Sequence, residues 1–312
     1  MQKQAIQEAT LLASALWIAG PTACGKSRLA MQLAKSCDGE IISVDSMQVY
    51  MGMDIGTAKT SKEEQSSVRH HMIDLVKVTE SFDVAQFRKE ALAAALDIAQ
   101  RGKLIIFCGG TGFYFRALLQ GLGKGPPSDP VLRQELNDWP IRELCKALES
   151  ADPETYASID RSNKRKLVRA LEVVRLTGQS FSSFKPETSL SPPGSGKRFW
   201  LLERAAPELR KRIDDRVDKM IAIGWIDEVQ RLMDLGLREG STASQAIGYG
   251  HIMNYLRGRN SLDATIDEIK KKTWHYAKRQ RTWFRHQICG DTIDMTMASP
   301  VEHIRHFMTS IS

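Results

Sequence analysis

The sequence lacks the features that mark secreted, zinc-binding and membrane proteins. Five cysteines occur among 312 residues, an odd number without a Cys-x-x-Cys pair, which argues against a disulfide framework and a zinc site. No apolar run reaches the roughly 18 residues that a membrane helix needs. The apolar stretch Leu11–Ala19 follows one early basic residue, Lys3, and leads into a glycine-rich turn, so we interpret it as a first β-strand rather than a signal peptide. We therefore expect a cytoplasmic protein without a membrane segment.

Charge is distributed unevenly along the chain. The whole sequence carries 44 basic and 37 acidic residues, a net charge of +7. Residues 1–156 hold 17 basic and 19 acidic residues, whereas residues 157–312 hold 27 and 18. The basic second half indicates a polyanionic partner, although a solvated basic surface would have the same composition.

Short apolar runs alternate with helical patterns over the first 120 residues, which predicts an α/β core with a parallel sheet. The predicted strands are Leu16–Ala19, Glu40–Val44 and Leu104–Cys108, and the predicted helices are Lys26–Ser36 and Val84–Arg101. The pattern changes after the Gly/Pro-rich break at residues 121–127, and no strand is predicted from Asp129 to Gly178. Capping residues instead predict helix starts at Asp129, Asp152 and Asn163.

Residues 122–197 are accordingly predicted to form a helical insertion in a core made of residues 1–121 and 198–312. The insertion is predicted to end in a loop rich in Pro and Gly, Lys185–Lys197. A strand at Phe199–Leu202 and four helices should follow: Pro207–Gly224, Trp225–Leu235, Thr242–Leu256 and Leu262–Gln287. The last 25 residues show no clear pattern.

A phosphate-binding loop lies between the first strand and the first helix of the core. The segment Gly20-Pro-Thr-Ala-Cys-Gly-Lys-Ser27 fits G-x-x-x-x-G-K-[ST] in the strand–helix context that the motif requires. Its backbone N–H groups and the helix N-terminus can bind phosphate, Lys26 adds a positive charge and Ser27 is a candidate Mg²⁺ ligand. The candidate binding residues are Gly20, Pro21, Thr22, Ala23, Cys24, Gly25, Lys26 and Ser27.

Two of the predicted strands differ in the residue that follows them: one is followed by an acidic residue and the other is not. The strand Leu104–Cys108 ends in Gly109-Gly110-Thr111 without the acid that an NTPase uses for Mg²⁺. The strand Glu40–Val44 ends in Asp45, at the edge where open α/β sheets place their sites. Asp45 is therefore a candidate metal ligand or general base, with a turn cap as the alternative.

Several further segments occur in a characteristic order. They are Gly20–Ser27, Ile42–Tyr50, Gly52–Lys59, Gly109–Thr111, Arg169–Val173, Gly248-Tyr249 and Tyr276–Gln280. From about residue 16 to residue 287 the chain resembles the bacterial tRNA dimethylallyltransferases (isopentenylpyrophosphate transferases). The resemblance implies a P-loop NTPase-like core that transfers a dimethylallyl group from dimethylallyl diphosphate to N6 of adenine 37, in the tRNA anticodon stem-loop. The phosphate loop would then hold the pyrophosphate leaving group with Mg²⁺, which explains the missing NTPase acid.

The resemblance also assigns roles to individual residues. It implies that Asp45 is the general base for a poorly nucleophilic exocyclic amine and that Thr111 contacts the target nucleotide. The tRNA-contact residues that it implies are Asp45, Ser46, Met47, Gln48, Thr111, Arg133, Arg165, Lys166, Leu167, Val168 and Arg169. Cys24 departs from the family pattern, where serine is usual, but the backbone performs the binding there.

Two further groups of residues have alternative interpretations. Arg212 and Arg216 share a helix face and could bind the diphosphate, or they could pair with neighbouring aspartates at 214, 215 and 218. Nine basic residues between 257 and 285 are interleaved with aromatic residues that could stack on bases or fill the core. We predict core positions for Trp283 and Phe284.

Three other functions share parts of this pattern: a small-molecule kinase, a non-catalytic nucleic-acid-binding protein and an adenylate isopentenyltransferase. The helical insertion and the basic second half favour tRNA over a free nucleotide as the acceptor. We expect a monomer.

Overall fold

The computed structural model describes residues 2–123, 125–184, 198–288, 290–297 and 299–309. The strands are β1 (Leu16–Ala19), β2 (Gly39–Val44), β3 (His70–His71), β4 (Leu104–Gly109), β5 (Phe199–Glu203) and β6 (Asp291–Asp294). The helices are α1 (Gln2–Ser14), α2 (Lys26–Ser36), α3 (Lys62–Ser67), α4 (Val84–Gln100), α5 (Gly112–Gln120), α6 (Pro130–Asp138), α7 (Ile141–Ala151), α8 (Pro153–Ser158), α9 (Lys164–Thr177), α10 (Ala206–Ala222), α11 (Trp225–Asp234), α12 (Tyr249–Leu256), α13 (Leu262–Gln287) and α14 (Pro300–Thr309). Two 3₁₀ turns lie at Phe181–Phe184 and Ala243–Gln245.

The six strands form one sheet in the order β3-β2-β4-β1-β5-β6, and every neighbouring pair is parallel. This confirms the predicted α/β class. Gly109, the last residue of β4, is paired with Ala19 of β1 on one side and Val44 of β2 on the other. The chain therefore leaves these three central strands at the same level, and the segments that follow them share one edge of the sheet.

The sheet carries apolar side chains on both faces. Such a sheet is buried on both sides, and its strands therefore have continuous apolar sequences. Along β1, Trp17 belongs to the cluster on one face and Ile18 to the cluster on the other. Trp17 stacks on Phe107 of β4 with 4.2 Å between ring centroids. This packing fixes the strand ends that carry the candidate site.

The chain folds as two compact units, Met1–Leu119 with Leu190–Ser312, and Gln120–Ser189. The smaller unit is helical, and its own core includes Leu136, Leu144, Leu167 and Leu171. Its predicted helix starts are confirmed: the side chains of Asp129, Asp152 and Asn163 each accept a hydrogen bond from an N–H in the first turn of α6, α8 and α9. The predicted loop Lys185–Lys197 lies outside the described residues.

Two predictions about elements were wrong in part, and one segment carried no prediction. Leu11–Ser14 belongs to α1, and only Leu16–Ala19 is a strand, because an apolar run this short fits either structure. The predicted helix Thr242–Leu256 is divided before Tyr249 by Gly248, whose φ of 98° a right-handed helix cannot accommodate. The last residues, which showed no clear pattern, form β6 and α14.

Within the described part of the chain, no helix combines the length and apolar character required to cross a membrane.

Candidate active site

The phosphate loop leaves β1 and enters α2 through a left-handed glycine. Gly25 has a φ of 112° at the N-cap of α2, a conformation that a side chain would strain. Lys26 folds back over the loop, and its Nζ donates to the carbonyl of Pro21 at 2.6 Å. Ser27 is exposed, and no hydrogen-bond partner for its hydroxyl is found among the described residues. The loop thus presents N–H groups, a cation and a free hydroxyl at one helix start, which suits a phosphate group.

Two arginines brace this loop from β5 and α10. Arg204 donates from Nε to the carbonyl of Cys24 at 3.3 Å, and it pairs with Glu208. Arg212 donates from Nε to the carbonyl of Ala23 at 2.9 Å. Arg204 was not found from sequence, because it lies outside the motif and reaches the loop only through the strand order.

Arg216 differs from these arginines because no ion pair or hydrogen bond of its guanidinium is found within the described ranges. The pairing with neighbouring aspartates is not observed, because these take other partners: Asp214 pairs with Arg210, Asp215 with Lys211 and Asp218 with Lys270. Burial lowers the pKa of Arg216, the nearby Arg212 lowers it further, and Cys24 of the loop lies within electrostatic range. An anion in this position would relieve the repulsion between the two guanidinium groups.

Asp45 occupies the turn that follows β2. Its Oδ1 accepts hydrogen bonds from the backbone N–H of Met47 at 2.8 Å and of Gln48 at 3.3 Å. Burial raises its pKa above the ordinary value of 3.8, although these two N–H groups and the charges of Lys26 and Lys59 oppose the shift. The carboxylate caps its turn and is at the same time a stronger base than a solvated aspartate.

Thr111 joins the end of β4 to the Asp45 turn. Its Oγ1 accepts a hydrogen bond from the N–H of Ser46 at 3.2 Å, and its own N–H donates to the carbonyl of Val44 at 3.2 Å. Since β4 lies between β1 and β2, Asp45 and the start of the phosphate loop are two strand spacings apart, about 10 Å. The structure therefore brings together the predicted loop, Asp45 and Thr111 at one sheet edge.

Helix α13 closes this edge with Gln280, to which sequence reasoning gave no role, and Tyr276, one of the aromatic residues predicted to stack on bases or fill the core. The Gln280 amide accepts from the N–H of Thr22 at 2.8 Å and donates to the carbonyl of Gly110 at 2.8 Å. A Cβ on Gly110 would lie 2.3 Å from Nε2 of Gln280, so a side chain there would displace the amide from these two hydrogen bonds. Tyr276, one turn earlier, lies near Asp45 and Thr111, and burial raises its pKa. The signal in the sequence that could have identified both residues is their place in the Tyr276–Gln280 segment, which carries part of the family resemblance.

The predicted tRNA-contact residues of α9 have mixed environments. Leu167 and Val168 lie in the core of their unit, which leaves only their backbone for contacts outside it. Lys166 and Arg165 are exposed. Arg133 and Arg169 both pair with Glu172, at 2.7 and 2.6 Å, and this glutamate is completely buried.

Burial raises the pKa of Glu172, but the hydrogen bonds from Arg133 and Arg169 outweigh it and leave that pKa below its ordinary value. Arg133 and Arg169 thus neutralise a core carboxylate, a role that sequence reasoning missed.

A groove of about 670 Å³ runs along α13 and is lined by basic and aromatic side chains. They include His275, Lys278, Arg279, Trp283 and His286. Phe284 is fully buried, as predicted, but Trp283 is half-buried and packs against the backbone of Gly112 while lining the groove. Trp283 therefore packs against the core with part of its ring and leaves the rest open to the groove.

The described residues contain no cluster of three or more His, Cys, Asp or Glu side chains that could hold a metal ion. Mg²⁺ needs no such cluster, since it commonly takes one or two protein oxygens and completes its shell with phosphate and water. The free hydroxyl of Ser27 at the start of α2 fits that pattern.

Comparison with known proteins agrees with this geometry. The family model for IPP transferase matches residues 48–287. The tRNA dimethylallyltransferase of Protochlamydia amoebophila (strain UWE25) is 45% identical over 290 residues, which cover 91% of this chain and 84% of the relative. The full-length tRNA isopentenylpyrophosphate transferase from Bacillus halodurans aligns with a TM-score of 0.70 at 38% identity, over 96% of each chain.

A eukaryotic dimethylallyltransferase, in crystallographic snapshots of it acting on tRNA, aligns with a TM-score of 0.77 at 27% identity, over 95% of this chain and 78% of that one. The parallel sheet with its phosphate loop is the P-loop NTPase-like fold of these neighbours. The chain belongs to the IPP transferase family, the tRNA dimethylallyltransferases, and is a transferase.

Proposed function

We propose that this enzyme transfers the dimethylallyl group of dimethylallyl diphosphate to N6 of adenine 37, beside the anticodon of tRNA. One observation carries the proposal: a half-buried carboxylate with a raised pKa, Asp45, stands at the same sheet edge as a phosphate loop. A phosphate loop alone fits many enzymes. A general base two strands away from that loop adds the group that takes a proton from an attacking amine.

The donor is an anion attached to a short apolar group, and the site has chemistry for both parts. The loop N–H groups, Lys26 and Arg216 would hold the diphosphate. A cavity of about 270 Å³ beside Arg216 is lined by the apolar side chains of Ile55, Ala58, Met220 and Ile223 and by the charged side chains of Asp54, Lys59 and Lys219. This cavity suits a small hydrocarbon chain next to a bound anion.

Ser27 would hold Mg²⁺ together with diphosphate oxygens, following the usual arrangement of phosphate loops. The ion would neutralise charge on the leaving pyrophosphate.

In the transfer step the lone pair of N6 attacks the first carbon of the dimethylallyl group. The bond between this carbon and the diphosphate oxygen breaks, and pyrophosphate leaves with the bonding electrons. Asp45 takes the proton released from N6, which leaves a neutral secondary amine. Thr111, held by the N–H of Ser46, would contact the nucleotide beside the reacting amine.

An adenine stacked in an RNA loop cannot present its N6 to a buried diphosphate, so we propose that the base is flipped out of the stack. The flipped base would enter a channel, and dimethylallyl diphosphate would enter the same channel from the opposite side. The groove along α13 supplies Lys278, Arg279 and a half-buried Trp283 for the RNA backbone and its unstacked bases. A complex with tRNA in which the adenine stays stacked would contradict the flipping.

The deciding experiment incubates the protein with labelled dimethylallyl diphosphate, Mg²⁺ and either tRNA or AMP and ATP. We expect label in tRNA, at the N6 of adenine 37 after nuclease digestion and mass spectrometry. Label in free nucleotide would indicate an adenylate isopentenyltransferase instead, and no transfer to either acceptor would refute the proposal. A tRNA with guanine at position 37 serves as the matched negative acceptor.

A further inference from the structure

Glu228 of α11 is a buried carboxylate that the proposed chemistry does not use. It is 1% exposed, and no basic side chain pairs with it in the described part of the chain. A buried charge without a counter-ion is costly unless hydrogen bonds satisfy it. The hydrogen-bond partners of Glu228 therefore indicate its role.

Four hydrogen-bond donors converge on this carboxylate. Oε2 accepts from the backbone N–H of Asp54 at 2.9 Å and of Ile55 at 2.6 Å. Oε1 accepts from the N–H of Gly56 at 3.2 Å and from the hydroxyl of Tyr249 at 2.7 Å. Three consecutive amides of one loop are thus held by a single side chain from a distant helix.

The same loop fixes the side chain of Gln48. Nε2 of Gln48 donates to the carbonyl of Thr57 at 3.2 Å, with the carbonyl of Ala58 at 3.5 Å, while Oε1 accepts from Oγ of Ser43 at 2.7 Å. Two carbonyl groups on one side of the amide dictate that its NH₂ faces them. The remaining capacity of Gln48 is a second lone pair on Oε1, so it can only accept a further hydrogen bond.

We propose that Glu228 is a positioning residue for base recognition, which holds loop 54–58 so that Gln48 offers an acceptor to the target base. The inference rests on the proposed function. Gln48 also donates its backbone N–H to Asp45, which ties the amide to the turn of the proposed base. Adenine presents an N6 amino donor where guanine presents an O6 acceptor, so a fixed acceptor favours adenine.

The test replaces the carboxylate with an amide of the same shape, Glu228→Gln. The amide has one oxygen and one NH₂ group in place of two oxygens. Its NH₂ group must face either the N–H groups of Asp54 and Ile55 or the N–H of Gly56 and the hydroxyl of Tyr249, so that two hydrogen-bond donors meet without an acceptor. We expect backbone hydrogen exchange of residues 54–56 to rise at least tenfold. We also expect the preference of the protein for anticodon stem-loops with adenine over guanine at position 37, measured by competition binding, to fall at least fivefold.

Glu239→Gln is the matched control, since it changes a solvent-exposed glutamate that pairs with Arg257 and Arg259. It should alter neither readout. If Glu228→Gln does not fold, as judged by circular dichroism, Tyr249→Phe removes one donor and leaves the carboxylate in place. That variant should lower the base preference by about twofold.

A folded Glu228→Gln variant with unchanged base preference overturns the inference, as does a wild-type protein that binds both stem-loops equally. If Glu228→Gln does not fold, an unchanged preference in Tyr249→Phe overturns it as well. Failure of the proposed function is a separate outcome, in which the wild-type protein transfers no label to tRNA. The exchange measurement reports on loop 54–56 in either case.

Discussion

The two carboxylate oxygens of Asp45 have different roles: one caps the turn after β2, and the other is available for the proposed proton transfer. Oδ1 accepts the hydrogen bonds from Met47 and Gln48 that cap the turn, and no protein hydrogen bond to Oδ2 is found within the described ranges. The cap, which the sequence offered as an alternative to a catalytic role, therefore orients the carboxylate instead of excluding that role.

Asp45→Asn should lower the single-turnover transfer rate by about 10² to 10⁴-fold, since the amide keeps the cap but cannot take a proton. Because burial raises the pKa of Asp45, the wild-type rate should fall as pH drops through that raised pKa and stay constant above it. Rapid-quench assays between pH 4.5 and 8 measure both effects.

Asp38→Asn, at the exposed opposite end of β2, is the control and should behave as the wild type. Affinity for tRNA should change less than about threefold in Asp45→Asn. A variant that retains the wild-type rate would show that another group is the base.

Arg216 is a cation near the phosphate loop for which the described residues provide no hydrogen-bond or ion-pair partner. Arg216→Ala should raise the KM for dimethylallyl diphosphate by about 10 to 100-fold, because a charge-assisted hydrogen bond is lost, and leave the KM for tRNA unchanged. Steady-state kinetics with each substrate varied measure both constants. Lys211→Ala on the same helix removes an exposed cation, and an equal effect there would mean that only general charge matters.

At the scale of elements, ion pairs hold helices to the sheet and to each other. Glu40 of β2 is buried and accepts from Arg101, which follows α4, and from His71 of β3 at 2.7 Å. The hydrogen bond from Arg101 holds the pKa of Glu40 at about 2 against an ordinary value of 4.5. This carboxylate therefore links three elements at the amino end of β2, away from the candidate site.

Glu40→Gln should lower the free energy of unfolding at neutral pH by about 3 kcal/mol, the value that this pKa shift represents. Since the folded pKa is depressed, the contribution is complete above about pH 4.5 and is lost as pH falls towards about 2. Urea unfolding between pH 2.5 and 7 should show a flatter pH dependence in the variant. Glu90→Gln, exposed on α4, should reproduce the wild-type curve, and an equal loss there would contradict the assignment.

Helix α9 carries a buried carboxylate, Glu172, that pairs with two of the residues predicted to contact tRNA. They are Arg169 of α9 and Arg133 of α6, and their contact with tRNA stays a prediction. Replacing Arg169 would remove one of the two guanidinium partners of that carboxylate and leave Arg133 as the other, and the loss of stability would obscure any effect on RNA binding. Lys166 and Arg165 are therefore the better positions for a binding test.

At the scale of the whole molecule, the basic second half of the sequence predicts that tRNA binding depends on salt concentration. Arg165→Ala combined with Lys166→Ala should weaken tRNA binding by about tenfold at low salt and reduce the slope of log K against log salt by about one to two. Filter binding between 50 and 300 mM salt measures the slope. Lys146→Ala, an exposed lysine on α7 of the same unit, is the control. Unchanged affinity and slope in the double variant would remove α9 from the proposed RNA surface.

The sequence was sufficient wherever chemistry is local in the chain. The phosphate loop, the strand endings at Asp45 and Thr111 and the caps of α6 and α9 depend on residues within a few positions of each other. The α/β class followed from the same alternation of short apolar runs and helical periods. Parallel strands then bring their carboxyl ends to one edge, so the location of the site followed from the strands.

Tertiary structure decided which polar groups meet. Gln280 joins Thr22 across 258 positions, and Glu228 holds Asp54 across 174. The sequence also left open the partner of Arg216, for which the described residues provide none, and it did not show that Arg169 pairs with the buried Glu172. A hydrogen bond depends on distances of about 3 Å, and only the packed chain sets those distances between residues so far apart in sequence.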